Sequence, residues 1–190
     1  MGNGNLMGIG KNKIHKNVLL YGNSSVGKTL LQYQLQSNMS LDKKKIKETY
    51  GISYEVFVAG DVNLGIFDIS GDLQQYKIVN VITKNIEIHG IIYVFSLDQL
   101  DKIEEAKQTL ERIVGNNYLE NNLSLFILYN KKEDEERLDW IDADLLDNRL
   151  GVPKLKKKYK LKGSVSQIFD IIKIRNDGIE GLFKFKEILK

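Results

Sequence analysis

A three-layer α/β fold is predicted, with a mostly parallel six-stranded sheet, helices on both faces and one antiparallel hairpin at an edge. Three observations predict it. Strand-length apolar runs alternate with amphipathic helical stretches along the chain, the order that builds parallel strands joined by crossover helices. Between the first run and the first such stretch, Gly22-Asn23-Ser24-Ser25-Val26-Gly27-Lys28-Thr29 matches G-x-x-x-x-G-K-[ST] in full, the pattern of a loop that cradles phosphates. Two later strands end on Asp68-Ile69-Ser70-Gly71 and Asn130-Lys131-Lys132-Glu133, polar groups at the carboxyl ends where such sheets bind ligands.

Composition sets the outer bounds. A chain of 190 residues is most simply one domain able to bury a single substantial core. Hydrophobic content of 42% against 28% charged residues is ordinary for a soluble globular protein, and no apolar run reaches the length of a membrane span. There is no cysteine, which excludes a disulfide framework and thiolate chemistry. Nothing at the start resembles a cleaved signal peptide, so a cytoplasmic location is expected. A net charge of +3 is too small to imply nucleic-acid binding, and no basic-aromatic module of that kind is visible.

Taken in order, Met1 to Gly10 carries glycines at 2, 4, 8 and 10, which argue against a helix despite Leu6, Met7 and Ile9. Residues 1–15 are expected to be a flexible arm, and 16–190 the folded domain. Gly2 raises N-myristoylation, but Leu6 stands where the M-G-x-x-x-[ST] pattern has a hydroxyl residue, so an unmodified arm is the simpler expectation. Asn17 to Tyr21 reads as a buried strand, and Leu30 to Leu35 as a helix with Leu31 and Leu35 on one face. The two glycines of the intervening loop let the backbone curl so that amides turn toward phosphate oxygens, and a helix starting near Lys28 adds its positive end. Lys28 would reach the β- and γ-phosphates, and the Thr29 hydroxyl would sit on a Mg²⁺ bridging them.

Asn38 to Thr49 is polar and carries Lys43, Lys44, Lys45 and Lys47, an exposed loop beside the phosphates. Ile52, Tyr54, Val56 and Val58 then alternate with Ser53, Glu55, Phe57 and Ala59, and a second run spans Val62 to Phe67. Gly60-Asp61 between them reads as a hairpin turn. Ile91 to Phe95 is an uninterrupted apolar strand of the kind buried on both faces. A helix follows with Ile103, Ala106, Leu110 and Ile113 on one face, and Leu123 to Tyr129 is the next strand. Beyond it an acidic helical segment, with Trp140, Ile141, Leu145 and Leu146 as core contacts, stops near Gly151-Val152-Pro153. The lysines from 154 to 162 read as a solvated connection, since Leu155, Tyr159 and Leu161 form no clear stripe; a patch for anionic lipid or an acidic partner is the sharper alternative. Ile168 to Ile174 is the last strand, and Asp177-Gly178-Ile179 opens a helix with Leu182, Phe183 and Leu189 for the core. His15 and His89 stand apart from each other and from these motifs, which reads as structural or surface placement.

These motifs together resemble the Arf and Arf-like branch of the Ras-type small GTPases, from about Lys16 to Leu189. The matching residues are Gly22 to Thr29 for the phosphate loop, Thr49-Tyr50-Gly51 for switch I, Asp68-Ile69-Ser70-Gly71 for switch II and Asn130-Lys131-Lys132-Glu133 for base recognition. The spacing from Thr49 to Asp68, the run Lys102 to Lys107 and the Asp177-Gly178-Ile179 helix start are also similar to that branch. The resemblance implies a P-loop small G domain binding GTP or GDP with Mg²⁺. Thr49 would complete the Mg²⁺ coordination with Thr29, Asp68 would stand in its second shell, and Gly71 would donate its N–H to the γ-phosphate. Asn130, Lys131, Glu133 and the backbone at Lys173 would hold the base. Loss of the γ-phosphate would release the switches, 38–51 and 68–85, which protein effectors, exchange factors and activating factors would read. The hairpin from Ile52 to Phe67 corresponds to the interswitch, coupled in that branch to the N-terminal arm, and peripheral membrane contact is left open.

Three departures bear on activity. Glu133 stands where the family has an aspartate that grips guanine, one methylene shorter. Lys173, within Ile172-Lys173-Ile174, replaces the small residue of the final base loop, where the contact is through backbone. Asp72 occupies the place of the glutamine that orients the attacking water, so Asp72 is the catalytic candidate and hydrolysis is expected to be slow. A GTPase-like module that has lost hydrolysis or cycling remains the alternative, and a different P-loop enzyme such as a nucleotide kinase is a third class. Arginine usage counts against the third: the first of four arginines is Arg112, far along the chain from both switches, whereas kinase lids clamp phosphoryl groups with arginine.

Overall fold

The computed structural model describes residues 14–36, 51–59, 61–70, 76–119, 122–131, 141–169, 171 and 180–190. The strands are β1 (Ile14–Tyr21), β2 (Ile52–Ala59), β3 (Val62–Ile69), β4 (Gly90–Ser96), β5 (Ser124–Asn130) and β6 (Gly163–Phe169). Between and after them lie α1 (Lys28–Gln36), α2 (Tyr76–Asn85), a 3₁₀ turn (Leu97–Lys102), α3 (Ile103–Val114), α4 (Ala143–Leu150), α5 (Val152–Lys158) and α6 (Glu180–Leu189). The strands form one sheet in the order β2-β3-β1-β4-β5-β6. Among the described strands, only β2 against β3 is antiparallel.

Strand alternation sorts the core into two layers. On one face Leu19, Tyr21, Ile91, Tyr93, Phe95, Leu125, Ile127 and Tyr129 pack with Val79 and Ile82 of α2, Ala106, Leu110 and Ile113 of α3 and Leu146 and Leu150 of α4. On the other, Val18, Leu20, Ile92, Val94, Phe126 and Leu128 meet Leu31 and Leu35 of α1 and Leu182, Phe185 and Leu189 of α6. Successive residues of β1, β4 and β5 enter opposite layers, which is why these strands read as unbroken apolar runs. β2 sits at the sheet edge, and Ile52, Tyr54, Val56 and Val58 share an exposed face. Its other face meets α1, where the Ser53 hydroxyl donates to Gln32 Oε1 at 2.9 Å.

Local chemistry sets the helix ends. The Asp142 carboxylate accepts from the Leu145 N–H at 2.6 Å, capping α4, and Gly151, at φ 77°, ends it in the left-handed conformation glycine tolerates best. α5 starts at once, with Pro153 in its first turn, a position that needs no amide donor. The lysine-rich segment therefore begins as a helix that buries Val152 and Leu155, with Leu161 buried just beyond it, and is no mere connection. Two further expectations are corrected. Leu145 is exposed, because it faces away from the layer that takes Leu146. The last strand spans Gly163–Phe169 rather than 168–174, paired residue for residue with Ser124–Asn130 of β5. Trp140 lies outside the described residues, as does the side chain of Phe183.

Polar side chains tie the layers. Asp147 of α4 accepts from the Tyr129 hydroxyl at 2.6 Å and from the Ser166 hydroxyl at 2.7 Å, joining α4 to β5 and β6. Burial raises the Asp147 carboxyl above its ordinary value of 3.8, against the pull of those two donors. At the hairpin, Asp61 is met by Lys190 at 2.8 Å and Lys186 at 3.4 Å from α6, and Lys190 chiefly holds its carboxyl down at about 2. The two histidines are linked after all. The Asn17 side chain lies 3.0 Å from His15 Nε2, and the Asn17 N–H donates to His89 Nδ1 at 3.2 Å.

Candidate functional site

The parallel strands share one carboxyl rim. Register places Leu20 of β1 beside Asp68 of β3, and Ser96 of β4 beside Asn130 of β5. The loop Gly22 to Gly27 springs from β1 at this rim and passes into α1, whose first turn closes with the Leu31 N–H on Gly27 O at 2.9 Å. Its backbone takes positive φ at Gly22 (149°), Ser25 (62°) and Gly27 (104°), the kind of turn in which successive amides converge on an anion. Two of its glycines are required by space as well. A Cβ on Gly22 would lie 2.2 Å from Val94 O, and one on Gly27 would lie 3.0 Å from Asn130 Nδ2 and 3.1 Å from Ile171 Cδ1.

Lys28 curls back under this loop, only 6% exposed, with its ammonium donating to Gly22 O at 3.0 Å and Asn23 O at 2.8 Å. A buried cation so placed makes the loop electropositive and pre-positions a charged donor for phosphate. The Thr29 hydroxyl donates to Asp68 Oδ2 at 2.9 Å, and Asp68 is fully buried. A hydroxyl and a carboxylate, both hard oxygen donors, suit Mg²⁺ beside phosphates. Thr29 and Asp68, expected to share a metal, are thus brought into direct contact.

Asn130 is the brace of the rim. Its Nδ2 donates to Val26 O at 3.0 Å and its Oδ1 accepts from the Ile171 N–H at 3.2 Å, with the residue 5% exposed. The Lys131 N–H adds a bond to Phe169 O at 3.1 Å. One side chain therefore joins the phosphate loop to the segment after β6. Gln99, in the 3₁₀ turn, donates from Nε2 to Ser24 O at 3.3 Å and supports the loop from its other side. The Ser70 N–H donates to Gly51 O at 3.1 Å, so the residues just before β2 and just after β3 are held together.

Of the residues expected from sequence, Gly22 to Thr29, Asp68, Asn130 and Lys131 converge on this rim. Gly2, Thr49, Gly71, Asp72, Glu133 and Lys173 lie outside the described residues, as do 38–50 of the first switch segment and 71–75 of the second. Gln32, Gln99 and Ile171 were missed. None of the three carries a motif, and their contacts are set by the tertiary fold.

The model of the ADP-ribosylation factor family matches residues 5–185 of the chain. An ADP-ribosylation factor-like protein of Dictyostelium discoideum is 26% identical over 177 residues, 86% of each chain. ADP-ribosylation factor-related protein 1 of Bos taurus is 27% identical over 123 residues, which span 62% of this chain and 60% of that one. Among solved structures, the Arl6 BBS3 small GTPase from Trypanosoma brucei, with bound nucleotide analogue GppNp, superposes with a TM-score of 0.71. It is 17% identical and covers 92% of this chain and 97% of its own. The mammalian SRP receptor structure gives a TM-score of 0.70 at 17% identity, covering 92% and 100%.

Proposed function

The chain belongs to the ADP-ribosylation factor family, and from that premise we propose that it is a guanine-nucleotide switch that binds GTP and GDP with Mg²⁺ and hydrolyses GTP slowly. The observation that carries the reading is the buried Lys28 ammonium held on Gly22 O and Asn23 O beneath a loop of three positive-φ residues. On nucleotide binding, Lys28 exchanges part of its carbonyl contact for phosphate oxygens, and the loop amides take the rest of the negative charge. Thr29 and Asp68 hold the metal side of the site, Thr29 directly and Asp68 through its hydrogen bond to that hydroxyl. Mg²⁺, when bound, neutralises phosphate charge. Asn130, held by Val26 O and the Ile171 N–H, leads the chain into the base-binding residues of this reading, Lys131 and Glu133, with the backbone at Lys173 as a further base contact.

The switch segments 38–51 and 68–85 are the surfaces that effectors, exchange factors and activating factors read in this proposal. The bond from the Ser70 N–H to Gly51 O supports coupling between them, with Thr49 and Gly71 as its sensors of the third phosphate. Asp72 lacks the paired donor and acceptor of a glutamine, so unassisted turnover is low. Contact with a membrane is peripheral where it occurs; among the described residues no helix is long and apolar enough to cross one. The test is to denature the purified protein and identify the released nucleotide by chromatography. Guanine nucleotide is the expected result, and adenine nucleotide overturns the base assignment. A protein that arrives empty and takes up no GTP with Mg²⁺ is the binding module without cycling instead.

A further inference from the structure

The end of the sheet remote from the phosphate loop holds a cavity of about 180 Å³. It lies where the parallel strands begin: Lys16 comes from the start of β1, His89 precedes β4, Leu123 and Ser124 open β5 and Lys162 precedes β6. Lys16 is six residues from Gly22 along β1, roughly 20 Å at the rise of a strand. The floor is apolar, formed by buried Ile88, Leu123 and Leu189. Lys16, Lys162 and Glu87 also line the cavity.

His89 has a fixed orientation in this wall. Its Nδ1 accepts from the Asn17 N–H at 3.2 Å, so the proton of the neutral ring sits on Nε2. Nε2 lies 3.4 Å from Glu87 Oε1, and the Glu87 side chain is 65% exposed. That separation is long for a charge-assisted bond, which runs about 2.7–2.9 Å. A carboxylate of this chain already rests, loosely, where an anionic oxygen meets the imidazole donor. Along the chain just before Lys162, Lys154, Lys156, Lys157 and Lys160 are exposed on and just after α5.

We propose that this cavity binds a phosphate group, with His89 Nε2–H, Lys16 and Lys162 as donors and Glu87 as an internal competitor that swings out when the site fills. Donors from three separate chain segments suit an anion with several equivalent oxygens. The cavity has room for a tetrahedral oxyanion. The site uses none of the residues at the phosphate loop and does not depend on the guanine-nucleotide reading. A soluble phosphate ester and a phospholipid headgroup present the same chemistry.

The full chain is titrated with inorganic phosphate while the His89 imidazole is followed by NMR, so that any binding at the distant loop is not counted. In parallel, the protein is sedimented with phosphatidylcholine vesicles with and without phosphatidic acid. Lys16→Gln and Lys162→Gln should each weaken binding about three- to tenfold, whereas Glu87→Gln should tighten it by a similar factor. A saturable His89 shift without vesicle binding assigns a soluble phosphate ester. Phosphatidic acid-dependent sedimentation that both lysine variants reduce assigns a lipid headgroup. The proposal is overturned if neither signal depends on the two lysines, or if Glu87→Gln weakens binding, since that would make Glu87 a ligand or a prop.

Discussion

Replacing Asn130 with alanine separates the brace from everything the nucleotide contributes. In the wild type its amide satisfies Val26 O at 3.0 Å and the Ile171 N–H at 3.2 Å, inside a site where the side chain is 5% exposed. Alanine removes both partners and leaves a carbonyl and an amide buried without them, each costing about 1–3 kcal/mol. The two together predict a loss of about 2–6 kcal/mol, a large share of a typical domain's margin. Urea denaturation of the nucleotide-stripped protein in EDTA is the assay, with the same curve repeated in saturating GDP and Mg²⁺. The loss should appear in full without nucleotide, because both bonds run from protein to protein. Added ligand should then stabilise the variant less than the wild type, as weaker binding requires. If the stripped variant unfolds with the wild-type midpoint and only the loaded form suffers, Asn130 serves the base alone, and the bracing role is refuted.

Gly22→Ala places a Cβ 2.2 Å from Val94 O, roughly 1 Å inside a normal carbon–oxygen contact, on a backbone at φ 149°. Strain and overpacking should together cost about 2–4 kcal/mol in a denaturant melt, and a wild-type melt would mean that the loop can shift away from β4. Lys28→Ala should weaken GTP by roughly ten- to a hundredfold, the loss of a charged hydrogen bond of about 1.5–3 kcal/mol; unchanged calorimetric affinity would place Lys28 away from phosphate. Asp147 has a carboxyl pKa raised by burial above 3.8, so the native state binds its proton more tightly than the unfolded chain does. Its contribution to stability is full below 3.8 and declines as pH rises through the raised value. Wild type should therefore gain on Asp147→Asn as pH falls toward 3.8 in paired thermal melts, and the opposite slope would sink the argument. Asp72→Gln should raise single-turnover hydrolysis of bound GTP, whereas a fast native enzyme slowed by that change would make Asp72 itself catalytic.

Legibility from sequence followed the physics of each segment. Residues 18–21 of β1, 91–95 of β4 and 125–129 of β5 are buried between the two layers, so these stretches are apolar throughout and the runs announced themselves. Among the described strands β6 pairs with β5 alone, and its residues are all partly exposed. Gly163, Ser164, Ser166 and Gln167 are compatible with that position, and the richer apolar run further on, Ile168 to Ile174, drew the expected strand away from it. α5 was hidden because Leu161, one of its apparent stripe members, belongs to the turn after the helix rather than to its face. The phosphate loop was legible because its backbone conformation and its lysine are demanded by spacing. Gln99 and Ile171 act on that loop through contacts set only by the tertiary fold, and a single sequence holds no local sign of them.

The span between Val26 and Ile171 has a consequence for how the chain is made. The phosphate loop and the first helix leave the ribosome early, but the brace at Asn130 engages its second partner only after 145 further residues, from 26 to 171. At synthesis rates of about 5–20 residues per second, that interval lasts roughly 7–30 s. β1 waits as well, since it is the central strand and β4 reaches it only with residues 90 to 93. During elongation the nascent loop has its sequence but not its support, and competence to hold a ligand arrives only once Ile171 has been made.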